Sequence, residues 1–192
     1  MKTYEYGRIR TLAMNLEQQG IESDTVEQIL EGGESILKGT SPAKKADWMR
    51  GAMQRMDILL DKPIRHSVRE ACACCLGGKR LKTSQEIARK GGSLEERIRA
   101  VDESKYIGKV ETREDGSLLI RFSPEGQEAY RCVCLPQAKE PISITYCYCC
   151  GGHVKHHLQI ALGRTVEMRV RSSALSSGGT KPCSFVFQVQ DT

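Results

Sequence analysis

Apolar residues in the N-terminal half of the chain recur with the spacing of amphipathic helices. The apolar stripes of the first three predicted helices contain Ile9, Leu12, Ala13 and Leu16; Val26, Ile29 and Leu30; and Met49, Ala52, Met53, Met56 and Leu60. Residues at i, i+3, i+4 and i+7 share one helical face, so each set predicts a helix with one buried side. Ser41-Pro42 is typical of a helix start, whereas Gly20 and Gly32-Gly33 are typical of helix ends.

A fourth helix is predicted to begin at Pro63 and to carry the first cysteines. One face of this helix would hold Ile64, Val68, Ala71, Cys72 and Cys75. Cys72 and Cys75 are therefore expected to point inward together, and Cys74 elsewhere. The segments 83–86 (TSQE) and 93–96 (SLEE) both have the pattern of a capping box, which predicts two further short helices.

The hydrophobic period changes to that of strands after residue 105. The segments 105–111 and 117–122 flank Asp115-Gly116, which is a strong hairpin signal. Further strands are predicted at 130–135, 141–148, 166–171 and 183–189, with a helix from Gly151-Gly152 to Leu162. We predict an α+β fold in which a helical N-terminal half packs on an antiparallel sheet with a C-terminal β-helix-β-β unit. Residues 1–104 would form the helical region and 105–192 the α+β metal- or ligand-binding region of one compact domain.

Eight of the nine cysteines stand in three short groups, which is the strongest chemical signal in the chain. The groups read Cys72-Ala-Cys74-Cys75, Cys132-Val-Cys134 and Cys147-Tyr-Cys149-Cys150, and Cys183 stands apart. Closely spaced cysteines are what a thiolate-ligated metal requires, because two sulfurs must reach one ion from one stretch of backbone.

The predicted strands would present two sulfurs from each CxC pair on one face, since residues i and i+2 project to the same side of a strand. Four such thiolates could hold a tetrahedral zinc ion or an iron–sulfur cluster, with the helical pair supplying or replacing some ligands. The predicted metal ligands are Cys72, Cys75, Cys132, Cys134, Cys147 and Cys149. Six thiols exceed the needs of one zinc ion, so either some are bystanders or there are two centres.

Two alternatives stay open for these side chains. Free cysteine packs well as a small buried hydrophobe, so any single thiol could belong to the core. His153 and His157 lie one turn apart on the predicted C-terminal helix, and His153 is the best nitrogen ligand because it follows the third cysteine group.

The charge and the distribution of apolar residues argue against some classes of function. The net charge of +5 arises from 29 basic and 24 acidic residues spread along the chain, which is typical of a solvated surface and not of a nucleic-acid footprint. We expect no membrane span, because no run of about 18 apolar residues is present. The absence of an apolar signal region at the N-terminus predicts the cytoplasm, whose reducing conditions favour free thiols over disulfides.

The C-terminal third resembles the C-terminal half of the 4-vinyl reductase domain. The resemblance covers roughly residues 128–190 and rests on the motif Tyr146-Cys147-Tyr-Cys149-Cys150-Gly-Gly-His153, on Ala161-Leu162-Gly163-x-x-Val166 and on Gly178-Gly179-x-x-x-Cys183-x-Phe185. It implies that a zinc ion lies near a small hydrophobic pocket, with Cys149 or Cys150 and Cys183 as ligands. The family's further cysteine ligand has no counterpart between Ser172 and Ser177, so the additional cysteine groups would replace it.

A longer pattern, over about residues 60–190, resembles an uncharacterised bacterial family of small cysteine-rich proteins. The shared features are a helix ending in a cysteine group, a capped helix like 93–101, a hairpin, and then CxC and YCxC. This resemblance supports the layout of the chain and implies no activity.

Three functions remain in competition. The first is a cytoplasmic metal-binding module, with zinc as the metal, that binds or senses a small apolar ligand and is either monomeric or homodimeric. The second is an iron–sulfur or thiol redox protein, and the third is a zinc-stabilised interaction module. The sequence contains no catalytic signature that assigns an enzyme activity.

Overall fold

Seven α-helices and four β-strands make up the regular structure in the computed structural model, which describes residues 3–122, 127 and 129–190. The helices are α1 Gly7–Gln18, α2 Ser23–Ile29, α3 Pro42–Leu59, α4 Lys62–Ala71, α5 Gly78–Lys90, α6 Leu94–Ser104 and α7 Tyr148–Leu162. The strands are β1 Lys109–Thr112, β2 Leu118–Phe122, β3 Val166–Ser172 and β4 Cys183–Val189. Short 3₁₀ helices cover Gly33–Ser35 and Ile144–Cys147. The protein therefore has the predicted α+β fold, with helices first and most strands later.

The four strands form one antiparallel sheet in the order β1-β2-β4-β3. The hairpin between β1 and β2 turns at Asp115-Gly116 as predicted, and Asp115 accepts hydrogen bonds from both the amide and the hydroxyl of Ser117. Because β2 precedes α7, and β3 and β4 follow it, the C-terminal part has the expected β-helix-β-β order.

Helix α7 lies between the sheet and the other helices, and it contributes to both hydrophobic cores. One core joins α1 to α4 with the segment before α7, whereas the other joins α5, α6 and α7 to the sheet. Val154 and Leu158 of α7 pack in the sheet core, and Cys149 packs in the helical core. One helix thus positions side chains on both sides of the molecule.

The apolar stripes predicted for α1 to α3 are confirmed, whereas Ile64 and Ala71 of the face predicted for α4 are exposed. Every residue of the three predicted apolar stripes is buried, and the Ser41 hydroxyl caps α3 by accepting a hydrogen bond from the Lys44 amide. The predicted capping box at Ser93 and Glu96 begins α6, and both of its reciprocal hydrogen bonds are present. At these positions, the residues that favour a helix by their local sequence are also the ones that the folded protein buries or uses as helix caps.

Four predicted elements differ in the structure. Helix α4 ends at Ala71, so Cys75 does not continue its face; this residue is exposed and has a φ of +62°. Thr83 lies inside α5 instead of beginning a helix, because α5 already starts at Gly78. Residues 130–135 form bends and turns, and 141–148 contain a 3₁₀ helix that runs into α7. Burial alone produces short apolar runs of this kind, which resemble strands in sequence.

No helix in the described part of the chain is both long enough and apolar enough to cross a bilayer.

Helix α7 crosses α4 closely at Gly152, where an added Cβ would overlap the backbone carbonyl of Glu70. We expect Gly152→Ala to lower the free energy of unfolding by about 2 kcal/mol, because backbone cannot yield as a side chain can. Gly151→Ala is the matched control: its Cβ would meet the flexible end of Met168, so a smaller loss is expected. Urea denaturation of both variants measures the difference, and equal losses would contradict this account of the crossing.

Candidate thiol and metal centre

Cysteines from all three groups meet between α4, the loop at 130–135 and the first turn of α7. The sulfur of Cys134 lies 3.8 Å from that of Cys150. Cys132 is in hydrogen-bonding contact with Cys134, and Cys149 with Cys150. Cys72 at the end of α4 is close enough to Cys149 for their charges to interact. The structure therefore brings together four of the six predicted ligands, Cys72, Cys132, Cys134 and Cys149, and adds Cys150.

Arg69 is a buried cation at the floor of this cluster. Its side chain is 3% exposed, and its Nη2 donates to the carbonyl oxygen of Tyr146 over 3.2 Å. The guanidinium carbon also lies 4.8 Å from the centre of the Tyr146 ring. Among the described residues no carboxylate forms an ion pair with Arg69, and its Nε has no hydrogen-bond acceptor. A buried charge requires compensation, and the anionic groups available to it here are thiolates.

Arg8 reaches the cluster from the N-terminal helix. Its Nη1 donates to the carbonyl oxygen of Cys134 at 2.7 Å and to the Tyr146 hydroxyl at 2.9 Å. Burial opposes its charge, but the neighbouring Tyr146, Tyr6 and Cys134 outweigh that effect and raise the pKa of Arg8. Burial likewise opposes the charge of Arg69, whose pKa is nonetheless raised by Cys149 and Cys72. Both arginines are therefore permanent cations beside sulfur.

The thiols divide into two classes of acidity. The pKa of Cys134 is lowered to about 3, chiefly by the hydrogen bonds from Cys132 and Cys150, with Arg8 also contributing. The pKa of Cys149 is lowered to about 6, first by its hydrogen bond with Cys150 and then by Arg69, against the effect of burial. The pKa values of Cys132 and Cys150 are raised, so these two remain thiol donors. Two thiolates thus face two arginines.

The other predicted ligands have their sulfur contacts outside this group, although Cys147 is near enough to Cys149 for their charges to interact. Cys147 is buried, and its sulfur is 2.9 Å from the hydroxyl of Ser173. Cys75 is exposed, and its sulfur lies 3.8 Å from that of Cys74. Cys183, which the 4-vinyl reductase resemblance implied as a ligand, accepts a hydrogen bond from the amide of Ala174. The spacing of cysteines did not distinguish these three from the clustered ones.

His153 and His157 fix the loop that follows α4. Nδ1 of His153 lies 2.9 Å from the carbonyl oxygen of Cys74, and Nε2 of His157 lies 3.2 Å from that of Cys75. Since a carbonyl can only accept, both ring nitrogens must carry protons. Burial, then the neighbouring His157, lowers the pKa of His153 to about 4, so its ring is neutral at pH 7. Its Nε2 therefore keeps the lone pair that a metal would need.

Sequence reasoning missed the two arginines and the contacts that Tyr146 makes with them. No local pattern marks Arg8 or Arg69, because each reaches the cluster from a distant helix. The 4-vinyl reductase resemblance offered Cys150 as an alternative to Cys149, but the strand expected at 141–148 left it out of the predicted ligand set, and it lies in the first turn of α7. Within residues 3–122, 127 and 129–190, no three His, Cys, Asp or Glu side chains are already arranged to hold a metal ion.

The chain belongs to a family of unknown function, DUF6144, whose family model matches residues 10–184. This membership agrees with the expectation of an uncharacterised family and does not extend to the 4-vinyl reductase domain. No curated protein and no solved structure matches the chain.

The ionised thiol of Cys149 should make the metal-free protein less stable as the pH falls. Its pKa is about 6 in the folded protein and 9.0 ordinarily, so above pH 9 the thiolate stabilises the fold in full. As the pH falls from about 9 to about 6, the unfolded chain takes up the proton first and this stabilisation is lost. Urea denaturation of reduced, chelator-treated protein should show that trend.

Cys149→Ser should make the dependence on pH shallower between these limits, while Cys183→Ser should leave it unchanged. If Cys149→Ser has the slope of the parent protein, Cys149 is not the ionised thiol.

Proposed function

We propose that this protein is a metal-binding protein of the reducing cytoplasm, with zinc held by the thiols of Cys132, Cys134, Cys149 and Cys150. The observation that carries the proposal is the convergence of these thiols beside the buried Arg69 and the half-buried Arg8. Three of the four were expected as ligands from sequence, and Cys150 takes the place of Cys147 and Cys75. Cys72 and His153 are near enough for their charges to interact with Cys149 and Cys134 respectively, which makes them the alternative ligands.

Sulfur geometry supports a single tetrahedral ion. Thiolates bound to one zinc at about 2.3 Å lie roughly 3.8 Å apart. Cys134 and Cys150 have this separation. Thiolates bound to different irons of a [4Fe–4S] cluster stand further apart, so the pair fits zinc better than that cluster, whereas a [2Fe–2S] cluster would hold two thiolates on one iron at a similar separation. The sulfurs of Cys132 and Cys149 would need to turn toward the ion. The loop at 130–135, which has no regular hydrogen-bond ladder, allows that adjustment for Cys132, whereas Cys149 would have to change its side-chain rotamer on α7.

Charge supports the same proposal. A zinc ion with four thiolates carries two net negative charges, which are costly to bury without cations nearby. Arg8 and Arg69 supply two positive charges at the edge of the cluster. Their hydrogen bonds to the backbone of Cys134 and Tyr146 would hold them in place whether or not the metal is bound.

Metal analysis of single variants tests the proposal. Protein purified without air and without an affinity metal should contain about one zinc per chain and no visible absorption. Cys134→Ser and Cys150→Ser should each lose most of this zinc, because each removes one of four ligands. Cys147→Ser and Cys183→Ser should keep it, since their sulfurs contact Ser173 and the amide of Ala174 instead.

Retention of zinc in both Cys134→Ser and Cys150→Ser would overturn the proposed ligand set. Loss of zinc in Cys147→Ser with retention in Cys150→Ser would favour the set predicted from sequence instead. A brown protein with iron and sulfide would replace zinc with an iron–sulfur cluster.

A second candidate function is thiol–disulfide chemistry, which the low pKa of Cys134 and its distance of 3.8 Å to Cys150 specifically favour. In this case the Cys134 thiolate attacks an external disulfide, and Cys150 resolves the mixed disulfide by forming an internal bond. Metal-free protein treated with a mild disulfide oxidant should then lose two hydrogens, with Cys134 and Cys150 joined. Peptide mapping under non-reducing conditions measures the pairing, and random pairing among the nine cysteines would contradict this function.

A further inference from the structure

An open cleft of about 560 Å³ lies beside the exposed cysteine pair and apart from the buried thiols. It is bounded by the loop at Cys75 and Gly77, by the first turns of α5 and by the segment 104–106 that follows α6. Clefts of a few hundred to about 1,000 Å³ accommodate small organic molecules. The size therefore suits a small ligand.

Cations dominate the wall of this cleft. Lys79, Arg80 and Lys105 line it, and no acidic residue does. In the part of the chain that the structure describes, none of the three forms an ion pair. The first turn of α5 adds to this positive field, because Gly77 offers no side chain to cap it. A concave surface with one sign of charge concentrates ligands of the opposite sign, so the cleft favours an anion over the apolar ligand expected from sequence.

The thiol of Cys75 lines the same cleft. Cys75 is exposed and lines the wall, together with the hydroxyl-bearing Thr83 and Tyr106. The backbone at Cys75 is held firmly, since its carbonyl oxygen lies 3.2 Å from Nε2 of the buried His157. That ring is anchored in turn by Ser84, whose hydroxyl is 3.1 Å from Nδ1. The thiol is thus both accessible and positioned relative to the cations.

From this combination we infer that the cleft binds small anionic disulfides and that Cys75 exchanges with them. The Cys75 thiolate, its proton lost to solvent, attacks one sulfur of the ligand disulfide. A new bond forms between the Cys75 sulfur and that ligand sulfur while the ligand's own S–S bond breaks. The departing half leaves as a thiolate with the electron pair, so the Cys75 sulfur is oxidised and the departing sulfur is reduced. The bound half keeps its carboxylates against Lys79, Arg80 and Lys105. The inference is independent of the metal proposed for the buried thiols.

Two disulfide probes of opposite character test the inference. The anionic probe is 5,5′-dithiobis(2-nitrobenzoic acid), and the neutral probe is 4,4′-dithiodipyridine. Relative to a short unstructured cysteine peptide, Cys75 should react with the anionic probe on the order of tenfold faster, and with the neutral probe at the rate of the peptide. Added salt should remove the anionic preference. Mass spectrometry of peptides identifies the modified cysteine, and Cys75→Ser should lose the fast phase.

Two triple variants distinguish the effect of the cations in the cleft from the effect of the net charge of the protein. The triple variant K79Q/R80Q/K105Q should lose the anionic preference, whereas R89Q/K90Q/K139Q, which removes three exposed cations elsewhere, should keep it. Equal preference in both triple variants, no salt effect, or a fast phase that survives Cys75→Ser would each overturn the inference. Zinc content is measured on the same samples. Because Cys75→Ser should leave the zinc content unchanged, this test of the cleft is independent of the test of the metal site.

Discussion

The structure depends on the compensation by sulfur of two arginine charges, one buried and one half-buried. Arg69 is almost fully buried, and Arg8 enters the same region from α1. Neither has a carboxylate partner among the described residues, so the electroneutrality of the interior depends on ionised thiols or on a thiolate-bound metal. Tyr146 connects the two cations, because its hydroxyl accepts from Arg8 and its carbonyl accepts from Arg69. Removing the sulfur groups would leave positive charge in a medium that solvates it poorly.

Helix α7 is the element through which this compensation is organised. Its first turn supplies Cys149 and Cys150 to the thiol cluster, and its later turns supply Val154 and Leu158 to the sheet core. The glycine at 152 lets the helix approach the backbone of α4, which brings Arg69 within reach of Cys149. Lys155 and Glu70, joined at 2.6 Å, hold the same pair of helices on the outer side. The crossing of α4 and α7 therefore determines both the packing and the electrostatics of the thiol cluster.

The parts of the fold with a strong local signal could be predicted from the sequence. Long apolar stripes such as Met49 to Leu60 and turn residues such as Asp115-Gly116 encode their structure within a few positions. The segments at 130–135 and 141–148 could not be predicted, because burial alone makes a short run apolar and leaves its backbone undetermined. The composition of the centre was foreseeable from the cysteine groups, and the proximity of Cys134 to Cys150 was not, since it depends on how the loop meets α7. A single arginine belongs to no sequence pattern, so the positions of Arg8 and Arg69 in the fold could not be predicted.

The hydrogen bond between Arg8 and the backbone of Cys134 joins positions 126 residues apart in the chain. The contact between Arg69 and Tyr146 spans another 77 residues. Contacts of such separation form late, because a long loop must close before they are rewarded. During synthesis, the α1 to α4 helices can therefore collapse while their two cations still face water, and the sulfur-bearing segments arrive afterwards. The centre can therefore be completed only after residues 130–150 have been synthesised and have packed on α1 and α4.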